Sequence, residues 1–338
     1  MDDTTFAAPA VELAYDMRAP AIGPPAAQLY LSAIEQCRWA DQRRFTGVAL
    51  SEHHGSDDGY LPSPIVLGAA IGGATEHMLI RLGVVLLPLY HPVRLAEDLA
   101  VLDLSCGGRL RLTVAAGYRP EEYAQFGLDI KHRPSLMEQG IEVLKQAWSG
   151  EEFEFQGRRV RVTPRPAQRP RPSITLGGAS PATARRAARI ADDYQPLADR
   201  LYELYVDALD ELGKPHPPAV RTSGDGGPQF VHVSNDPDRA WSQIAPHALH
   251  ESNAYAQWAA GARGSVYAAT DDANALRTSG RYLVLTPDEA VELARRRGSL
   301  TLKPLMGGLH PDVGWESLEL TATDVIPRLP LHDSKDPT

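Results

Sequence analysis

The run Gly47-Val48-Ala49-Leu50-Ser51-Glu52-His53-His54 decides the fold. Its first four residues have the short, apolar, β-branched look of a buried strand, and Glu52, His53 and His54 stand where that strand runs out. Three titratable side chains therefore sit at one strand's carboxyl end. In a parallel α/β protein chemistry is done at that edge, because the loops there surround a common mouth while the opposite face only holds the fold together.

Working outward, the same alternation continues on both sides. Before the run lie a strand at 11–16 and a helical spacing over 26–43, marked by Leu29, Ala33, Ile34, Cys37 and Ala40. After it, Ser63-Pro64 opens a helix to about Ala74, a strand follows at 79–86, and His91-Pro92 starts a helix that Gly107-Gly108 stops before a fourth strand at 109–115. Helices are expected at 118–126 and 133–148. Two short runs around Gln156-Gly157 then read as an inserted hairpin. A fifth strand at 173–176 ends in Gly177-Gly178-Ala179-Ser180-Pro181 and leads into a helix to Ala191, followed by a short sixth strand at 192–196 and a helix over 201–212. A seventh strand at 230–233 precedes a helix from 237 to 260, expected to break near Pro246. Residues 261–279 show no clear period and read as a long loop near the mouth. A run at 282–285 leads into a helix capped by Thr286, the last strand candidate is 300–302, and a helix over 311–327 closes the chain. Eight strand slots can be filled, the eighth ambiguously, which favours a (β/α)8 barrel over an open sheet.

A chain of 338 residues fits one such barrel of about 250 residues with insertions, so a single domain is expected over 1–338, its core over 11–329. Hydrophobic residues at 43% and charged residues at 23% are ordinary globular usage and allow a large core. The net charge of -9, with short basic clusters only at 158–161 and 295–297, gives no footprint for nucleic acid. The longest apolar runs are Pro-marked or Gly-broken and short of the roughly 18 residues a membrane span needs. Met1-Asp2-Asp3 is acidic where a signal peptide would be basic, so a cytoplasmic protein is expected. Cys37 and Cys106 are too few for a disulfide framework and read as reduced thiols.

With these residues in place the chain resembles the bacterial luciferase-like monooxygenase family. The resemblance rests on Ser51-Glu52-His53-His54, on Leu87-Pro88-Leu89-Tyr90-His91-Pro92-Val93-Arg94-Leu95-Ala96-Glu97-Asp98, and on Leu102-Asp103-Leu104-Ser105 leading to Gly108-Arg109-Leu110. Gly127 after Tyr123 and Phe126, the Gly177-Gly178-Ala179-Ser180 turn and Pro287-Asp288-Glu289 agree with it. It implies a flavin or deazaflavin at the mouth of the barrel, and usually a homodimer. The helix at 91–104 is expected to form part of that interface.

The resemblance also implies site residues. His53 takes the catalytic place, and an imidazole that titrates near neutrality can donate to an oxyanion or accept a substrate proton. Glu52, His54, His91 and Tyr118 are mouth candidates, the first three with a structural reading beside them. Gly83-Val84 aligns with a non-prolyl cis peptide that supports the flavin ring. Gly178, Ala179, Ser180 and Thr183 correspond to the phosphate site, where helix-terminal amides favour an anion, although a plain N-cap explains Ser180 as well. One departure concerns the phosphate: Ala116 stands where luciferase has an arginine, and Ala115 where it has a reactive cysteine. A charge-assisted contact of about 1.5–3 kcal/mol is thereby lost, so flavin binding should be weaker or differently supported. Arg94, Glu97, Asp98, Asp103 and Arg109 read as structural ion-pairing groups.

The function expected is oxygenation of a small organic substrate with O2 and non-covalent reduced FMN, supplied by a separate flavin reductase. The alternatives are a hydride-transferring oxidoreductase that uses 8-hydroxy-5-deazaflavin, which the Ala-Gly pair at 116–117 also suits, and a catalytically idle relative. A metal site is disfavoured, since adjacent His53 and His54 on one strand point to opposite faces.

Overall fold

The computed structural model describes residues 9–217, 230–259 and 268–330. The chain divides into two compact units, Met1–Ala49 with Gly226–Thr338, and Leu50–Asp225. Both are built from parallel strands followed by helices.

In the first unit, β1 (Ala10–Tyr15), α1 (Ala26–Asp41) and β2 (Gly47–Leu50) form the amino-terminal part. Burial alternates strictly along β1, with Val11, Leu13 and Tyr15 buried, as expected of a strand packed under α1 on one face.

The second unit begins with α2 (Pro64–Ala74), β3 (Leu79–Val85), α3 (Pro92–Ser105) and β4 (Leu110–Val114). Next come α4 (Pro120–Gln125) and α5 (Arg133–Ala147). The expected hairpin is present as β5 (Phe153–Phe155) and β6 (Arg158–Val160), antiparallel across Gln156 (φ 51°) and Gly157 (φ 72°), two positive φ values in succession, as a tight hairpin turn requires. The unit ends with β7 (Ile174–Gly178), α6 (Pro181–Ile190), β8 (Asp193–Pro196) and α7 (Asp199–Glu211). Apart from that hairpin, its strands run in the order β3-β4-β7-β8, all parallel.

The first unit resumes with β9 (Phe230–Val233), α8 (Pro237–Trp258), α9 (Ala273–Thr278), β10 (Tyr282–Leu285), α10 (Pro287–Arg297), β11 (Ser299–Leu302) and α11 (Pro311–Leu320). Its strand order is β10-β9-β11-β1-β2. Both candidates for the eighth strand are therefore strands: β9 takes β10 on one side and β11 on the other, and β11 pairs with β1.

Three expectations are corrected. Helix α8 runs unbroken through Pro246 because the ring lies on the exposed face, while Trp241, Ile244, Ala245 and Ala248 hold the buried face on either side of it. The segment read as a loop over 261–279 contains α9, capped by the Asp272 side chain on the amides of Asn274 and Ala275; residues 260–267 lie outside the described residues. The closing helix ends at Leu320 and passes through a wide turn and a short 3-10 turn to Arg328. No helix among the described residues is long and apolar enough to cross a membrane.

The candidate active site at the strand carboxyl ends

Glu52, His53 and His54 follow β2 directly, and all three are buried. Glu52 is an anchor. Its Oε1 accepts from His54 Nε2 (2.8 Å) and from the Tyr90 hydroxyl (2.8 Å), and its Oε2 accepts from the Leu86 amide (3.0 Å) just past β3. Burial and the neighbouring carboxylate push the Tyr90 phenol well above its ordinary range, which keeps it a donor. The His54 ring then packs edge-on against Phe126 at 4.9 Å. Both residues thus tie the loops after β2 and β3 together.

His53 belongs to a second carboxylate. Its Nδ1 lies 2.7 Å from Glu122 Oε1 on α4, after β4. The same oxygen accepts from the His54 amide (3.0 Å) and from Arg119 Nη1 (3.3 Å), and Arg119 also donates to the His54 carbonyl (3.0 Å). Burial pushes the Glu122 carboxyl upward, but His53, the His54 amide and Arg119 outweigh it and hold the group below its ordinary range. Edge-on to the His53 ring stand Tyr60 at 4.9 Å and Tyr118 at 5.7 Å. The loops after β2 and β4 thus converge on one imidazole.

Glu122, Arg119 and Tyr60 are absent from the sequence reading, and Tyr90 enters it only within the family motif at 87–98. In Arg119-Pro120-Glu121-Glu122 the visible signal is a helix start, with Pro in the first turn and acids near the positive dipole end, which accounts for those acids without any partner. His91 joins neither carboxylate; it is exposed at the start of α3, its ring 5.7 Å from Phe155 of the hairpin. The five charges read as structural are so placed: Arg94 pairs with Asp98 (2.8 Å), Asp103 accepts from Gln168, and Arg109 holds the carbonyls of Gly72, Thr75 and Met78.

The residues expected to hold a flavin lie at the ends of β3, β4 and β7. The Gly83-Val84 peptide bond is cis, and a Cβ on Gly83 would meet nothing within 4 Å, so open space lies over that backbone. A Cβ on Gly177 would come to 3.3 Å from Val84 Cγ1, and one on Gly178 would overlap Thr183. The paired glycines are thus explained first by packing against Val84 and Thr183. Ser180 is a true N-cap: its Oγ accepts from the Thr183 amide (3.2 Å) and lies 2.9 Å from Thr183 Oγ1. If the threonine hydroxyl donates to the serine, the Ser180 hydrogen is left to point outward at a helix start with no acidic residue in its first turn. Ala116 contributes its carbonyl, which accepts from the Tyr123 hydroxyl. A planar ring over Gly83, with an anionic tail toward Ser180, fits these groups.

Parallel strands whose carboxyl-end loops converge on a carboxylate-held imidazole, beside an open glycine backbone and a capped helix start, define an α/β protein with a candidate small-molecule site at that edge. More narrowly, the chain belongs to the luciferase-like monooxygenase family, whose model matches residues 18–297. The flavin-dependent trigonelline monooxygenase oxygenase component of Acinetobacter baylyi is 29% identical over 161 residues, 46% of this chain and 44% of that one. An F420-dependent glucose-6-phosphate dehydrogenase of Microbacterium testaceum is 29% identical over 323 residues, 86% of this chain and 90% of that protein. The matched stretch spans about half the length of the first curated relatives. Among solved structures, the monooxygenase RslO1 of Streptomyces bottropensis superposes with a TM-score of 0.73 at 24% identity, covering 94% of this chain and 99% of the other. The FMN-bound oxygenating constituent of 3,6-diketocamphane monooxygenase from Pseudomonas putida gives 0.71 at 20% identity, covering 96% and 100%. These likenesses establish the fold, which is the barrel class expected from the sequence.

Proposed function

We propose that the chain is the oxygenase half of a two-component monooxygenase, taking reduced FMN from a separate reductase and oxygenating a small organic substrate. The observation that carries this reading is the open Gly83 backbone beside the Ser180–Thr183 hydroxyl pair, within a family whose relatives include an oxygenase component. Reduced FMN, when bound, supplies the electrons that activate dioxygen. Gly83 and Val84 support the ring, while Gly178, Ala179, Ser180 and Thr183 receive the phosphate through backbone amides and hydroxyls. Tyr60 and Tyr118 wall the His53 side of the site and exclude water from the reacting centre. His53 moves a proton at its imidazole, and Glu52 with His54 keeps the surrounding loops in place.

A second reading is favoured by Ala116 and by the 86% coverage of this chain in the match to the F420-dependent dehydrogenase: hydride transfer with a deazaflavin. Anaerobic titration with reduced FMN and with 8-hydroxy-5-deazaflavin separates the two. The oxygenase reading expects reduced FMN to bind and label from 18O2 to appear in an organic product. Tight binding of the deazaflavin alone would replace it with the second reading.

A homodimer is proposed through α2 and α3, which pack together and leave Val66, Val101 and Leu104 70%, 53% and 44% exposed.

A further inference from the structure

The proton role of His53 depends on which ring nitrogen carries the hydrogen, and the geometry points to Glu122 as the residue that decides it. We propose that Glu122 is a positioning residue that holds His53 as the Nδ1–H tautomer, so that Nε2 is the atom that takes a proton from the substrate. This rests on the proposed role of His53 and deepens it.

Three features of the site carry it. The Glu122 side chain is 1% exposed, and its Oε1 lies 2.7 Å from His53 Nδ1. That oxygen already collects the His54 amide and the Arg119 guanidinium, so two further donors stabilise the ionised carboxylate. An ionised carboxylate only accepts hydrogen bonds, so the nitrogen facing it must be the donor. In the neutral ring the lone pair then sits on Nε2, and in the protonated ring the positive charge is balanced by a fixed negative neighbour. The proton balance is simple: a substrate X–H bond breaks with its electron pair left on X, the proton passes to Nε2, and the imidazolium gives it up to solvent when the product leaves. Glu122 gains no proton at any stage, because Arg119 and the His54 amide favour its anion throughout.

Arg119 has a distinct part. It bridges Glu122 to the His54 carbonyl, and so fixes the carboxylate relative to the backbone that bears His53. The orientation of the ring is therefore set from the loop after β4, while its position is set from the loop after β2.

The test reads the tautomer directly. Nitrogen-15 spectra of the full chain without cofactor, with His53→Gln used to assign the ring signals, are expected to show His53 protonated at Nδ1 and bare at Nε2 near neutral pH. Glu122→Gln can donate as well as accept, and is expected to shift the tautomer ratio by about tenfold or more toward Nε2–H, the size of a lost charge-assisted bond. With a substrate in hand, the same variant lowers kcat with little change in KM, and Glu122→Asp restores part of the loss. A wild-type ring protonated at Nε2, or a tautomer unchanged in Glu122→Gln, overturns the proposal. The wild-type spectrum decides the matter even if the variant does not fold. Because no flavin is present, the result is independent of whether the oxygenase reading holds.

Discussion

Each unit buries a pair of carboxylates near the carboxyl ends of its strands, and the two pairs have different partners. In the unit of β1 and β11, Asp16 and Glu251 share the ammonium of Lys303, 2.5 Å from Asp16 Oδ2 and in contact with Glu251 Oε2. Arg18 lies 3.6 Å from Asp16 and stacks over Tyr255 and Trp258 at 4.9 and 4.4 Å, while Tyr282 donates to Glu251 at 3.1 Å. In the unit of β3 and β4, Glu52 and Glu122 instead face imidazoles. An ammonium locked between two carboxylates, with a guanidinium beside one of them, is a fixed ionic contact, so that cluster reads as a brace. An imidazole changes state near neutrality and has two distinct nitrogens, so a carboxylate beside it sets the direction of a proton. Burial of carboxylates is common to both; only the partner separates a brace from the group proposed to move a proton.

The sharpest way to break this contrast is Lys303→Met. Removing the shared ammonium leaves Asp16 and Glu251 buried without it, where burial and Asp16 already push the Glu251 carboxyl upward. Loss of one partner from a buried ionic cluster costs about 3–5 kcal/mol, so the melting temperature should fall severely or the chain should fail to accumulate folded. His53→Gln should leave the melting temperature nearly unchanged while activity is lost, because its cluster keeps Glu122 paired with Arg119. If thermal unfolding showed the two variants equally stable, the brace and the group proposed to move a proton would no longer be distinguishable.

The same contrast explains what the sequence made legible. Glu52-His53-His54 could be found because it ends a strand, and the strand is visible in four adjacent residues. Glu122 could not, since it lies 69 residues from His53 and its local setting already accounts for an acid. Asp16, Glu251 and Lys303 come from three distant segments and carry no mutual spacing. The ambiguity over the last strand has a similar origin: β10 and β11 are both four residues long, and only their common neighbour β9 shows that both are used. Helix α9 is too short to display a period, though Asp272 was a readable start.

A smaller effect tests the first unit by pH. Burial on β9 pushes His232 down to about 4, beside a cavity of about 20 Å³ lined also by Lys303 and Tyr282. Its folded value lies below the 6.5 of a free histidine, so its contribution is complete above pH 6.5 and is lost as pH falls from there toward 4. Glu122 is depressed from 4.5, so its contribution persists above that value and is lost only below it. Between pH 7.5 and 5 the two units should therefore respond differently. His232→Gln should remove about 2 kcal/mol of the stability change over that interval, read as the difference between its unfolding free energies and those of the wild type. An identical pH dependence in both proteins would mean that burial on β9 does not shift His232 from its unfolded behaviour.

The smallest effect asks whether a satisfied group can still serve a ligand. Ser180 already caps α6, and Ser180→Ala should cost about 1 kcal/mol through the cap alone, whether or not a phosphate binds there. Loss of flavin affinity in that variant would therefore be uninformative by itself. Ser180→Asp separates the two roles: aspartate is as good a cap as serine, so the melting temperature should hold, while its charge opposes an anion at the same amides. Binding of reduced FMN should weaken in Ser180→Asp, and binding of reduced riboflavin, which lacks the phosphate, should not. If both flavins bound Ser180→Asp as they bind the wild type, Ser180 would be a cap only, and the tail of the cofactor would have to be held away from the start of α6.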